Sequence, residues 1–102
     1  MITMDAARWA EPPDGTSARR LSAIAAAHGV WVVAGLATRD ADGAANAALL
    51  FDPAGTLAGT YRKQRLFAHG GEDAAYRAGR SPAVWLVNGV RVAPLVCYDL
   101  RF

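Results

Sequence analysis

Thr16-Ser17-Ala18-Arg19-Arg20-Leu21-Ser22-Ala23-Ile24-Ala25-Ala26-Ala27-His28, then Gly29, then Val30-Trp31-Val32-Val33-Ala34-Gly35-Leu36, is the stretch on which the fold turns. Ala18, Leu21, Ile24, Ala25 and His28 recur at the spacing that gathers side chains on one face of a helix. Thr16 or Ser17 can cap its start and Gly29 can end it, so an amphipathic helix is predicted over 16–28. The run that follows is short, apolar and rich in β-branched residues, the pattern of a strand covered on both faces. A helix feeding directly into a buried strand puts the chain in the α/β class.

Downstream, Arg39 to Gly43 reads as a turn and Ala44 to Phe51 as a second strand. Asp52-Pro53-Ala54-Gly55 is a tight turn, and Thr56 to Arg62 returns antiparallel as a third strand. Lys63 to Pro82 is long for a connection and rich in glycine and charge, the profile of a functional loop. Ala83 to Val87 and Val90 to Val96 flank Asn88-Gly89, which signals a type I′ hairpin whose second arm delivers Cys97. Upstream, Met1 to Gly15 reads as irregular, with Pro12, Pro13 and Asp14-Gly15 marking a loop.

The 102 residues are 53% hydrophobic and 20% charged, with a net charge of +2, a composition that suits one small globular domain. The arginines are dispersed, with no basic run and no aromatic ladder, so nucleic acid is not an expected partner. A single cysteine, Cys97, excludes an intrachain disulfide and a multi-cysteine zinc site, and fits a reducing compartment, with the cytoplasm as default. No leader pattern and no apolar run long enough to span a bilayer is visible, so a soluble protein without membrane partners is expected. His28 and His69 lack partners at metal-ligand spacing, and Gly70-Gly71 lacks the context of a phosphate cradle. Trp31 and Trp85 read as core, while Trp9 lies in a loop where it could line a site entrance.

Two segments carry possible chemistry. Cys97 ends an apolar strand where the chain turns, a place from which a thiol can be presented to a cleft; the bland reading is a small hydrophobe finishing a core strand. Lys63 ends the strand 56–62, and the bland reading there is a solvated strand end. Taken together, two strands of one mixed sheet could bring thiol and ammonium to one sheet edge, where the lysine would favour thiolate and stabilise an oxyanion.

The segments Tyr61-Arg62-Lys63-Gln64-Arg65-Leu66-Phe67, Gly71-Glu72 with Tyr76-Arg77-Ala78-Gly79, and Pro94-Leu95-Val96-Cys97-Tyr98-Asp99-Leu100-Arg101-Phe102 resemble the nitrilase superfamily of carbon-nitrogen hydrolases in order and spacing. The sequence after the cysteine resembles the omega-amidase-like branch more than the true nitrilases. The resemblance implies residues 1–102 as a partial carbon-nitrogen hydrolase domain, part of a four-layer α-β-β-α sandwich truncated at both ends, with a mixed sheet and covering helix. It implies Cys97 as nucleophile attacking a small carboxamide, Lys63 and the Tyr98 backbone amide as oxyanion donors, and Glu72 as an auxiliary glutamate ordering the site. It also implies Arg101, paired with a buried carboxylate, and Asp99 as structural residues near the site. Neither metal nor organic cofactor is implied, and intact relatives form homo-oligomers.

In this family the general base is a glutamate in a Pro-Glu pair upstream of the segment that Thr3-Met4-Asp5 resembles. Glu11 does not match that position and reads as a solvated loop residue. Arg65 stands where relatives often have histidine. The expected function is therefore an amidase acting through Cys97 and Lys63. The alternative is a catalytically inert fragment lacking its base, serving at most as a binding or assembly module, and a flavodoxin-like binding domain is a weaker third. Open strand edges and an apolar sheet face are expected to favour self-association.

Overall fold

The computed structural model describes residues 3–102. In chain order the elements are α1 (Ala6–Trp9), α2 (Thr16–His28), β1 (Val32–Asp40), β2 (Gly43–Phe51), β3 (Leu57–Arg62), a 3-10 turn Ala68–Gly70, α3 (Glu72–Ala75), β4 (Trp85–Val87), β5 (Val90–Val92) and a 3-10 turn Cys97–Arg101. β1, β2 and β3 form one antiparallel sheet with β2 central, and β4 and β5 form a separate antiparallel pair.

β2 is buried from Ala44 onward because it is covered from both sides. Successive strand side chains point to opposite faces, and the two resulting sets pack differently. Ala47, Leu49 and Phe51 meet Ala18 and Ala25 of α2, with Leu21, Val32 and Leu36 around them. Ala48 and Leu50 meet Tyr61 and Trp85, with Trp31, Val87 and Val96 alongside. The result is a helix, a sheet and a hairpin in three layers. A third cluster, Ala6, Ala44 and Tyr76, closes the end of the sheet from which the site is built.

Helix α2 has the predicted limits, with Gly29 in the left-handed conformation closing its last turn. Its start differs. Gly15 is the N-cap residue and no neighbouring hydroxyl serves it; instead Glu11 reaches over, its Oε2 accepting the Ser17 N–H at 2.8 Å and its Oε1 the Ser17 hydroxyl at 2.8 Å. Glu11 is therefore a helix cap and not a solvated loop residue. The Ser17 N–H and hydroxyl hold its carboxyl below the usual value. Its backbone also makes a parallel bridge to Thr38 on the edge of β1, the one parallel pairing among the described residues in an otherwise antiparallel arrangement.

The expected irregular start contains one helical turn, α1, capped by the Asp5 side chain, and the described residues on either side of it up to Gly15 are irregular; Met1 and Ile2 of that segment lie outside the described residues. β1 runs to Asp40, so Arg39 and Asp40 belong to the strand and not to a turn. Its cover is uneven: Val32 and Leu36 pack toward α2, and on the other face Ala37 packs against Ala6, Ala44 and Tyr76 whereas Val33 is 58% exposed. The reason is its place on an edge strand, where the hairpin reaches Trp31 but leaves Val33 open. Val90–Val96 pairs only as far as Val92, since Pro94 has no N–H to give a ladder.

The hairpin turn is as the sequence predicts, with positive φ at both Asn88 (50°) and Gly89 (78°). Asn88 also accepts the Trp31 indole N–H at 2.9 Å, tying the hairpin to the root of β1. Replacing Asn88 with alanine removes that bond and puts a side chain with no local polar compensation in the left-handed region; we expect a loss of about 1–2 kcal/mol in urea unfolding. Asn88→Gly should recover the backbone part alone.

Candidate active site

Strand alternation decides which side chains meet. Tyr61 lies opposite Ala48 in the β2–β3 ladder, and the Lys63 N–H continues it by donating to the Asn46 carbonyl at 2.8 Å. Asn46, Tyr61 and Lys63 therefore share the face that carries Ala48 and Leu50 and looks toward the hairpin. Gly79 lies directly against the end of β3, its N–H donating to the Lys63 carbonyl at 2.9 Å.

Lys63 is 2% exposed and Glu72 1%. The ammonium donates to Glu72 Oε2 at 2.6 Å, and the same oxygen accepts the Phe67 N–H at 2.7 Å. Glu72 Oε1 takes the Asn46 side-chain amide at 2.7 Å. Burial by itself would push the Glu72 carboxyl up, but the bonds from Lys63, Phe67 and Asn46, with the lysine charge, outweigh it and hold the group below its ordinary value. Glu72 thus stands as a carboxylate whose oxygens are spoken for, and the segment 63–82, expected as a functional loop, contains a 3-10 turn and α3.

Cys97 is exposed, with φ of 51°. A non-glycine residue there is strained, and such strain collects at functional sites. It stands where extended Val96 gives way to the 3-10 turn Cys97–Arg101. The first N–H groups of a helical turn have no partner inside it, which leaves the Tyr98 amide suited to an anionic oxygen beside the thiol. Asp99, 4% exposed, accepts the Tyr61 hydroxyl at 2.7 Å and the Val96 N–H at 3.0 Å on Oδ2, and the Arg65 N–H at 2.8 Å on Oδ1. Burial and that carboxylate push the Tyr61 phenol up to about 12.

Cys97, Lys63, Glu72 and Asn46 line one cleft of about 380 Å³, with Met4 and Phe67 forming part of its apolar wall. A wider depression of about 660 Å³ between Arg62, Arg77 and Arg80 contains neither the thiol nor the ammonium. The sequence-based expectation of convergence across one mixed sheet needs correction: Lys63 follows β3 of the three-stranded sheet, whereas Cys97 follows the separate hairpin. They meet because the hairpin folds over that sheet's face. Arg101 also differs from expectation. It is exposed, its guanidinium 6.0 Å from the Tyr98 ring, because the buried carboxylate nearby, Asp99, is already filled by Tyr61, Val96 and Arg65. Trp9 is 57% exposed and lies against Arg8, apart from the cleft.

Two residues of this network escaped the sequence reading. Asn46 is the lone polar side chain in Ala44–Phe51, a signal in itself, since a buried amide needs a partner. Tyr61 gave no comparable signal, because a tyrosine in a strand is ordinary.

Comparison with known proteins adds to this geometry. The family model described as "Carbon-nitrogen hydrolase" matches residues 3–102. A hydrolase of Mycobacterium tuberculosis, Rv0480c, is 39% identical over 98 residues, covering 91% of this chain and 35% of its own length. The omega-amidase YafV of Yersinia enterocolitica is 48% identical over 61 residues, 60% of this chain and 23% of its own. Among solved structures, XC1258 from Xanthomonas campestris, a CN-hydrolase superfamily protein with an arsenic adduct in the active site, superposes with a TM-score of 0.86 at 36% identity, covering 91% of this chain and 35% of that one. The chain thus spans about a third of the length of the first curated relatives it matches, 35% of Rv0480c. With the fold, the cleft and a family match running from residue 3 to 102, this chain belongs to the carbon-nitrogen hydrolase family.

Proposed function

We propose that these residues supply the nucleophile and the oxyanion donors of a thiol amidase that releases ammonia from a small carboxamide. The observation that carries this reading is the exposed, positive-φ Cys97 sharing a cleft with the buried Lys63–Glu72 pair. The Cys97 sulfur attacks the amide carbonyl carbon, and the carbonyl oxygen gains charge that the Lys63 ammonium and the Tyr98 N–H stabilise. The carbon-nitrogen bond then breaks, the nitrogen takes up the proton given up by the thiol and leaves as ammonia, and water hydrolyses the thioester to the carboxylate and the free thiol. The chemistry needs a free thiol, which suits a reducing compartment such as the cytoplasm. An omega-amide is the favoured substrate class, supported by the similarity to an omega-amidase. Leu86, Val90, Leu100 and Phe102 are more than half exposed, and their cover by a second subunit in a homo-oligomer is part of the same reading.

A specific observation favours a second reading for the 102 residues by themselves. The chain has two glutamates, Glu11 and Glu72, and both are committed, one to the Ser17 cap and the other to Lys63, Asn46 and Phe67. With both carboxylates so engaged, this reading leaves the thiol proton without a free base, and the chain alone is expected to be silent in turnover. Grafted in place of the matching segment of the Yersinia omega-amidase, it should release ammonia from glutaramide, and Cys97→Ala in that graft should lower the rate by at least about 10⁴-fold. Retained turnover in the alanine variant, or none in a graft that melts cooperatively, would refute the amidase reading. Multiple turnovers by the isolated chain would refute the second.

A further inference from the structure

The bond-making steps leave one buried charge without a task. Asp99 is 4% exposed and has no cationic partner among the described residues, yet three donors converge on it. The donors are what distinguish it. The Tyr61 hydroxyl and the Arg65 N–H come from positions two before and two after Lys63, while the Val96 N–H comes from the residue before Cys97. Asp99 itself stands two residues after the cysteine. One carboxylate therefore grips both flanks of the lysine and both flanks of the nucleophile, across two sheets that share no ladder.

We infer that Asp99, with Tyr61, is a positioning pair that fixes the spacing and orientation of Cys97 relative to Lys63. The inference rests on the reading of those two residues as the reacting pair. Its physical basis is that Cys97 has a backbone conformation it would not adopt by preference, φ 51°, and such a conformation persists only when neighbouring bonds over-determine it. The bond from the Val96 N–H to Asp99 closes the turn on the cysteine side. The bonds from Tyr61 and Arg65 anchor that closed turn to the strand end bearing the lysine. Charged acceptors make stronger hydrogen bonds than neutral ones, so a carboxylate suits this task better than an amide would. Asparagine at this position keeps the shape but must turn its NH₂ toward at least one of three donors, losing that bond to donor–donor repulsion.

The test uses the 102-residue chain and its only thiol. Cys97 is alkylated with iodoacetamide, which carries the amide carbonyl the site is read as holding, and separately with methyl methanethiosulfonate, which has no carbonyl. The ratio of the two rates is compared with that of a free peptide spanning 94–102, well below the melting temperature. The folded chain should show a raised ratio. Asp99→Asn should lower it about tenfold, short of the roughly hundredfold cost of displacing reacting groups by 1 Å, and Tyr61→Phe should lower it by a smaller factor. A purely structural role would lower the melting temperature and leave the ratio intact. If the wild-type ratio equals that of the peptide, the reacting-pair reading fails; if it is raised and both variants keep it, the positioning role alone fails. Should Asp99→Asn not fold, Tyr61→Phe decides.

Discussion

Glu72→Ala is expected to destabilise the chain by about 3–5 kcal/mol, the cost of stranding one partner of a buried ion pair. The Lys63 and Glu72 side chains are each 2% exposed and their charged atoms lie 2.6 Å apart. Alanine would leave the ammonium without a counter-charge, and would also orphan the Asn46 amide and the Phe67 N–H, which Glu72 now receives at 2.7 Å each. Glu72→Gln restores the shape and some of the hydrogen bonding but not the charge, so it should recover only part of the loss. Acid should reach the same interaction by another route. The Glu72 carboxyl is held below its ordinary value of 4.5, with burial opposing the shift and the bonds from Lys63, Phe67 and Asn46 carrying it. A group whose folded pKa is depressed adds stability that is complete above its unfolded value and is lost as pH falls through the folded one. Stability from this pair should therefore hold at neutral pH, decline below 4.5, and show no such decline in the alanine variant. Urea unfolding across that range is the measurement. A loss below about 1 kcal/mol at neutral pH would mean that the pair behaves like a solvent-exposed one.

The parts of this site that sequence made legible are those governed by local rules. Helix α2 follows from apolar spacing and a terminal glycine, and the Asn88-Gly89 turn from the need for two positive φ values, so both stand where predicted. Lys63 and Cys97 were legible through the motifs around them, and the structure gathers them in one cleft. What was not legible depends on contacts between distant segments. Glu11 looks like any loop carboxylate until α2 is folded, when its two oxygens find Ser17. Val30–Leu36 looks covered on both faces because its composition is apolar throughout, yet coverage is set by how far the hairpin extends, and Val33 is left open. Asn46 announces a buried bond without naming its partner, since Glu72 is 26 positions away.

A methyl group at Gly79 is expected to damage both the stability and the chemistry of the site. Built on the present backbone, a Cβ there would collide with the Arg62 carbonyl oxygen and stand 2.8 Å from the Arg62 Cβ. Gly79 is not among the positive-φ residues, so alanine is conformationally acceptable and the obstacle is steric. The clash is with backbone, which cannot swing aside as a long side chain would. Relief requires the 77–80 segment to lift from β3, which stretches the 2.9 Å bond from the Gly79 N–H to the Lys63 carbonyl. Alternatively β3 must yield, which strains the 2.8 Å bond from the Lys63 N–H to Asn46. Either movement passes through Lys63. Gly79→Ala should therefore cost toward the upper end of about 1–3 kcal/mol, the range for inserting a methyl where there is no room, and should lower the iodoacetamide selectivity of Cys97 in the same sample. Gly35→Ala is the control for stability alone, since Gly35 lines the cleft: its Cβ would meet nothing within 4 Å and its φ is not positive, so its stability should change by less than about 0.5 kcal/mol. Equal losses of stability from the two substitutions would show that the close approach of Gly79 to the lysine strand contributes nothing to holding the site together.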